Sequence, residues 1–145
     1  MSPTRSLLAI ALLLLAACGS GPVRKVHPST ASIQQLAILP GGEWQLSIRI
    51  ENFSTMAMHY EALDARLLID GADAGEIHVT PDIDIVANSG DVVTAHLHSR
   101  MQLRADVDFG YRLEGSIRTT DPKASFKFER SSRLSPVPGI PNTWR

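Results

Sequence analysis

Two pairs of side chains in this sequence have the types and the spacing that could bind a cation. His96 and His98 are two residues apart, and so are Asp82 and Asp84. Side chains alternate between the two faces of a strand, so each pair shares one face if its segment is extended. Two imidazoles can begin a zinc site, but catalytic zinc usually has three protein ligands. No third ligand follows at a diagnostic spacing, so we interpret the histidines as solvent-facing, with a metal site as the alternative, and the aspartates as surface acids.

Short motifs that mark common active sites are missing from the sequence. It contains no Gly-x-Ser-x-Gly nucleophile turn, no P-loop and no dinucleotide-binding fingerprint. A single cysteine excludes an internal disulfide framework and a zinc site built on several cysteines. The formal net charge of -1 gives no support for nucleic-acid binding, which depends on neutralising phosphates. The composition therefore favours a protein that is not an enzyme and that has neither a cofactor nor a nucleic-acid partner.

The N-terminus has the order of an export signal. Arg5 supplies a positive charge, and an apolar run of about eleven residues follows and ends in small residues. This run is well short of the roughly 20 residues that a transmembrane helix needs. We therefore predict a signal peptide over residues 1–17 rather than a permanent membrane span.

The lone cysteine stands directly after this run. The sequence Leu15-Ala16-Ala17-Cys18 resembles the lipobox of bacterial lipoproteins, in which a peptidase cleaves before the cysteine. The resemblance implies a mature chain that begins at Cys18 and carries several acyl chains, which together hold a protein stably at a membrane. Gly19 in the next position resembles lipoproteins of the outer membrane, which implies a domain facing the periplasm. The alternative is a simple signal peptide followed by a free cysteine.

The two ends of the mature chain lack a hydrophobic period. Residues 18–31 are rich in turn formers and predict a lipidated N-terminus followed by a flexible tether, which could extend by about 40 Å. We interpret Arg24 and Lys25 as solvated linker charges, with contact to anionic lipid as the alternative. Residues 131–145 contain three prolines and predict an irregular C-terminal extension, held in place by Leu134 or Trp144.

Between these ends, residues 32–130 follow the period of β-strands. In the stretch 43–51 every second residue is apolar, and the residues between are polar. The turn-forming sequence Pro40-Gly41-Gly42 precedes it, and Gly71-Ala72-Asp73-Ala74-Gly75 predicts a later turn. Only the stretch 101–108 could form a helical turn. Seven or eight short strands separated by turn signals predict an all-β fold, an antiparallel β-sandwich.

Three stretches of this region resemble the LEA type 2 or WHy (water stress and hypersensitive response) domain. They are Leu46–Ser54, Leu63–Gly71 and Ile85–Val93. Asn52 matches the first residue of the family's Asn-Pro-Asn-like turn, whereas Phe53 and Ser54 stand where Pro and Asn are expected. The resemblance implies an immunoglobulin-like or fibronectin-III-like sandwich, a role in desiccation, osmotic or cold stress, and no established catalytic residues.

The sequence thus supports two functional hypotheses. The first is a non-enzymatic, lipid-anchored envelope protein that protects against desiccation or osmotic stress by binding proteins or a membrane surface. Its partners would be the membrane, through Cys18, and envelope proteins. The alternative is an interaction or assembly lipoprotein that docks an envelope partner through a strand edge or the C-terminal tail.

Overall fold

The alternating segments form two antiparallel β-sheets that pack face to face. A computed structural model describes Gly19 and residues 21–145. Within these described residues, the strands are β1 (Thr30–Ile38), β2 (Trp44–Asn52), β3 (Met58–Ile69), β4 (Ala72–Val79), β5 (Ile83–Ile85), β6 (Ser89–Leu97), β7 (Phe109–Asp121), β8 (Lys123–Leu134) and β9 (Thr143–Trp144). The predicted all-β antiparallel sandwich is confirmed, with nine strands in the described part of the chain. The stretch 101–108 is not helical, because it forms a turn between irregular segments.

The strand order brings segments that are distant in sequence side by side. The four-stranded sheet has the order β6-β2-β1-β9, and the five-stranded sheet has the order β4-β3-β7-β8, with β5 also paired to β3. The connections β2–β3 and β5–β6 cross from one sheet to the other. Both of these connections therefore lie at the same end of the sandwich, where Asn52 pairs with Ser89 and Met58 pairs with Ile85.

The core lies between the sheets and is built from the residues that the period-two pattern predicts to face inward. Trp44, Leu46, Ile48 and Ile50 of β2 are buried, and so are Leu63, Ala65, Leu67 and Ile69 of β3. Burying each large aliphatic side chain contributes about 1.5–3 kcal/mol to stability. A shift of one residue in register would turn each of these sets toward water.

The hairpin turns agree with the sequence in one case and differ in another. Pro40, Gly41 and Gly42 connect β1 to β2 as predicted, and the amide of Gly42 donates to the carbonyl of Leu39 at 2.9 Å. The turn predicted over residues 71–75 is wrong, because β4 already begins at Ala72. Asp70 and Gly71 make the turn alone, with φ angles of 47° and 83°, as a two-residue type I′ hairpin requires.

The tether predicted over residues 18–31 is wrong for most of its length. The backbone of Lys25 exchanges hydrogen bonds with Thr55, at 2.8 Å to its hydroxyl and 3.0 Å from its amide. Ser29 is buried and its hydroxyl lies 2.7 Å from that of Tyr60, and β1 begins at Thr30. Hydrogen bonds to hydroxyls and backbone groups hold this segment on the sandwich, and such bonds leave no hydrophobic period in the sequence.

The C-terminal segment 131–145 is part of the sandwich and not an irregular extension. Strand β8 continues to Leu134, and Trp144 pairs with Leu36 as part of β9. Trp144 is fully buried, its indole donates to the carbonyl of Val107 at 3.1 Å, and its ring lies 5.6 Å from that of Phe109. Leu134 and Trp144 thus hold the segment in place, as predicted, by filling the core.

A tyrosine links the two sheets at a β-bulge. The pairing of β1 with β2 shifts register between Ile33 and Gln35, so this part of β1 departs from the regular ladder. The hydroxyl of Tyr111, which comes from β7 in the other sheet, accepts from the amide of Ile33 at 3.1 Å and donates to its carbonyl at 3.4 Å. Burial raises the pKa of Tyr111 above 10.0, partly offset by this backbone bond, so the hydroxyl stays neutral and can serve both groups.

Candidate functional site

The residues of the predicted lipid-attachment site, Leu15, Ala16, Ala17 and Cys18, lie outside the described residues. The described chain begins to contact the sandwich at Val23, five residues after Cys18. In the described part of the chain, no helix has the length and apolar character of a membrane span.

The predicted histidine pair lies at the end of β6, with His96 in the strand and His98 directly after it. His96 and His98 are both exposed, while the neighbouring Ala95 and Leu97 face the core. Glu43 lies close to both imidazoles, with its two carboxylate oxygens at 3.3 Å from Nδ1 of His96 and 3.6 Å from Nε2 of His98. The carboxylate therefore acts as a shared counter-ion for the pair when either imidazole is protonated.

The predicted aspartate pair encloses a histidine that sequence reasoning did not single out. Asp82 directly precedes β5 and Asp84 is its middle residue, and β5 pairs with β3 so that Asp84 lies opposite His59. Nδ1 of His59 is 2.8 Å from Asp84, and Nε2 is 3.1 Å from Asp82. The hydrogen bond to Asp84 raises the pKa of His59 above 6.5, with a smaller contribution from Asp82, while desolvation opposes the shift. The aspartates thus favour a doubly bonded imidazolium.

A third group of this kind lies on the outer face of the five-stranded sheet. Nδ1 of His78 is 2.8 Å from Asp64 on the neighbouring strand, and Nε2 is 3.8 Å from Glu76. The hydrogen bond to Asp64 raises the pKa of His78, against a smaller desolvation effect. The register of β3 against β4 places Asp64 opposite His78, and no short sequence motif marks this pairing.

These three surface groups do not assemble a metal centre. Among Gly19 and residues 21–145, no three His, Cys, Asp or Glu side chains are arranged so that they could hold a metal ion. His96 and His98 therefore remain two potential ligands, with carboxylate oxygens of Glu43 at 3.3 Å from one imidazole and 3.6 Å from the other. The arrangement suits ion pairing at the surface, where each exposed pair contributes little to stability.

The turn motif Asn52-Phe53-Ser54 forms the most extensively bonded polar site at the end of the sandwich. Asn52 is only 1% exposed. Its Nδ2 donates toward the carbonyls of Met56 at 3.0 Å, Ile85 at 2.9 Å and Val86 at 3.2 Å, and its Oδ1 accepts from the amide of Ser54 at 2.9 Å. One side chain thereby joins the end of β2 to the connection that follows it and to the connection between β5 and β6.

Ser54 extends this network to the N-terminal segment. Its hydroxyl accepts from the amide of His27 at 2.9 Å and donates to the carbonyl of the same residue at 3.3 Å. The carbonyl of Ser54 also accepts from the amide of Asn88 at 3.1 Å. We call this set of three bonded segments, residues 23–27, 52–56 and 85–88, the Asn52 end of the sandwich.

Comparison with known proteins adds no relative to this description. No protein-family model matches the sequence, and no curated protein matches it significantly. The resemblance to LEA type 2 and WHy domains therefore depends on the stretches Leu46–Ser54, Leu63–Gly71 and Ile85–Val93.

Proposed function

We propose that this protein is a lipid-anchored, non-enzymatic protein of the bacterial cell envelope, with a LEA type 2-like sandwich that protects other molecules when water is withdrawn. The observation that carries the proposal is the Asn52 network. The asparagine that the resemblance places at the family's turn is buried here and joins three segments at one end of the sandwich. The residue at the first turn of the three resembling stretches therefore has a structural role in this sandwich, and that role supports the proposal.

Attachment to the membrane is the first part of the proposal, and it is supported by the sequence around Cys18. Mass spectrometry of the protein extracted from membranes should find a mature N-terminus at Cys18 bearing acyl groups. A Cys18→Ser variant should accumulate as an uncleaved, unlipidated precursor. Normal processing of that variant would contradict the lipobox interpretation.

Binding, and not catalysis, is the proposed mode of action. The outer face of the five-stranded sheet carries paired charges of both signs, such as Arg66 on β3 with Glu76 on β4 and, along β7, Arg112 with Glu114. Polar groups of this kind can replace water in hydrogen bonds to a protein or a headgroup as drying proceeds. The sandwich behind them keeps this face ordered, because its core is formed by interlocking buried strands.

Protection can be measured with a reporter enzyme that loses activity on drying. We expect the purified protein to preserve more activity than an inert protein of equal mass at the same low ratio. The variant Asn52→Ala should preserve less activity than the unsubstituted protein. It weakens the fold that keeps the outer faces ordered and leaves the sequence of those faces unchanged. Equal preservation by the inert protein would refute direct protection.

A second function, docking of one envelope partner, is favoured by the position of β8. This strand of twelve residues lies at the edge of its sheet, and its outward residues include Lys123 and Lys127. Edge strands can accept a further strand from a partner. The C-terminal tail offers a smaller surface, the exposed Ile140, because Trp144 is committed to the core.

Crosslinking in membranes tests this alternative. One dominant partner should be recovered with the intact protein and lost with Lys127→Glu or with Ile140→Ser. Deleting residues 131–145 would not be informative, because the deletion removes buried Leu134 and Trp144 and so disrupts the fold. Recovery of no specific protein would count against docking.

A further inference from the structure

Four large apolar side chains are exposed at the Asn52 end of the sandwich. Val23 is 67% exposed, Val26 43%, Phe53 50% and Val86 63%. They come from the three segments that Ser54, Thr55 and Asn52 join by hydrogen bonds, so they share this end although they are up to 63 positions apart in sequence. Single exposed apolar residues are common on protein surfaces, but a set at one end of a domain indicates an interaction surface.

The charge of this end differs from that of its surroundings. Residues 43–91 contain ten acids and two bases, yet the segments 23–27, 52–56 and 85–88 contain no acid and carry the bases Arg24 and Lys25. The nearest acids along the chain are paired, because Glu51 lies against Arg49, and Asp82 and Asp84 both lie against His59. An apolar surface bordered by bases has the chemistry that fits a bilayer interface with anionic headgroups.

The length of chain before this surface limits how far it can stand from a lipid anchor. Val23 is held by the hydroxyl of Thr55, which donates to its carbonyl at 2.7 Å. Five residue steps separate Cys18 from Val23, and a fully extended chain covers at most about 18 Å over that distance. Because the headgroup region of one leaflet is about 5–8 Å thick, an anchored domain would be kept close to the bilayer surface, with this end nearest to it.

We propose that the Asn52 end is a membrane-contacting surface, on which Phe53, Val86, Val23 and Val26 enter the headgroup region and Arg24 and Lys25 contact anionic lipid. This proposal rests on the lipid anchor of the proposed function. It replaces a domain on a long tether with a domain that stands end-on, its strands directed away from the membrane. The outer sheet faces and the distal loops then face the aqueous side, where they are free to contact other molecules.

Depth-dependent quenching can test this orientation in the lipidated full-length protein. Cys18 is the only cysteine, and acylation would consume its thiol, so Phe53→Cys or Val86→Cys provides a single position for a fluorescent label. Ile140→Cys is the matched control, because Ile140 is also apolar and 55% exposed. It belongs to the loop that bonds Ile38 at the far end of β1, about 25–30 Å from Thr30.

The labelled proteins are reconstituted in vesicles of phosphatidylethanolamine and phosphatidylglycerol that contain nitroxide-labelled lipid. We expect several-fold stronger quenching at positions 53 and 86 than at position 140, with a blue shift of emission at 53 and 86. The double substitution Arg24→Gln with Lys25→Gln should reduce quenching at position 53. This reduction should be larger in vesicles with phosphatidylglycerol than in vesicles without it. Unchanged quenching would show that Arg24 and Lys25 are not part of the membrane-contacting surface.

Mass spectrometry of the same samples separates failure of the orientation from failure of the anchor. If Cys18 is acylated and positions 53 and 140 are quenched equally, or neither is quenched, the end-on orientation is overturned and the anchor stands. If Cys18 is unmodified, the anchor and the orientation are both overturned. Melting curves that match the unsubstituted protein exclude misfolding of the labelled variants.

Discussion

Replacing Asn52 by alanine should destabilise the domain far more than the loss of one surface amide. Alanine removes the acceptor for the amide of Ser54 and the donor for three carbonyls, those of Met56, Ile85 and Val86. No other side chain is bonded to these carbonyls in the described part of the chain. The perturbation therefore removes the side-chain partner of the Ser54 amide and of these three carbonyls.

The size of the effect follows from how deeply these groups are buried. The bonds to the Ser54 amide and to the Ile85 carbonyl are buried, whereas those to Met56 and Val86 are partly accessible and can be replaced by water. A buried polar group left unsatisfied costs about 1–3 kcal/mol. Two such groups predict a loss of about 2–6 kcal/mol, a large share of the 5–15 kcal/mol by which domains are typically stable, about 10 at the middle of that range.

Urea denaturation measures this loss. With a slope of about 2 kcal/mol per molar urea, the middle of the usual range, we expect the midpoint to fall by roughly 1–3 M. The variant Gln102→Ala is the control, because it removes an exposed side-chain amide and should change stability by less than about 0.5 kcal/mol. A loss below about 1 kcal/mol for Asn52→Ala, or one equal to that of the control, would refute the structural role given to Asn52.

Three further predictions follow from the contacts of the core and the surface. Tyr111→Phe should cost about 1–3 kcal/mol in urea denaturation, because it removes the hydroxyl that accepts from the buried amide of Ile33, whereas the bond to the Ile33 carbonyl is long at 3.4 Å; an unchanged midpoint would refute the cross-sheet link. Trp144→Ala should lower the free energy of unfolding by about 3–5 kcal/mol, because the ring is fully buried. A loss below about 1 kcal/mol would indicate that segment 131–145 is an independent extension. His59→Gln should alter the pH dependence of Tm. The pKa of His59 is raised in the folded state, so its contribution is complete below pH 6.5 and is lost as the pH rises through the raised pKa. As the pH rises through this range, the Tm of the unsubstituted protein should fall more than the Tm of the variant. Parallel curves of Tm against pH would contradict the ion-pair assignment.

The interiors of the strands were predictable from the sequence because one simple physical rule governs them. Burial of one sheet face imposes a period of two, and the alternation over 43–51 and over 63–69 follows it. The same rule is silent about hairpin geometry. The turn at Asp70 and Gly71 is shorter than predicted, because Ala72 already pairs with Ile69. Ala74 has no partner on β3 and forms a bulge in β4.

The two ends of the chain were less predictable because contacts distant in sequence hold them. Lys25 and His27 bond to Thr55 and Ser54 through backbone groups, which every residue possesses and which leave no pattern. The segment 131–145 contains four apolar residues, Trp144 among them, but they do not alternate with the period of a strand.

The candidate site was predictable only in part, for a related reason. Asn52 and its neighbours stood out as a turn motif, but two partners of the asparagine, Ile85 at the end of β5 and Val86 after it, lie 33 and 34 residues away in sequence. Asp82 and Asp84 were visible as a pair, yet His59 between them becomes apparent only once β5 is placed beside β3.

Survival of the bacterium through drying tests the central claim, that an anchored sandwich protects the envelope. A deletion strain is complemented with the unsubstituted gene, with Cys18→Ser and with Asn52→Ala, and survivors are counted after drying and osmotic shock. We predict that the deletion lowers survival, that the unsubstituted protein restores it, and that neither variant does so fully. Equal survival of the deletion strain and its parent would contradict the claim.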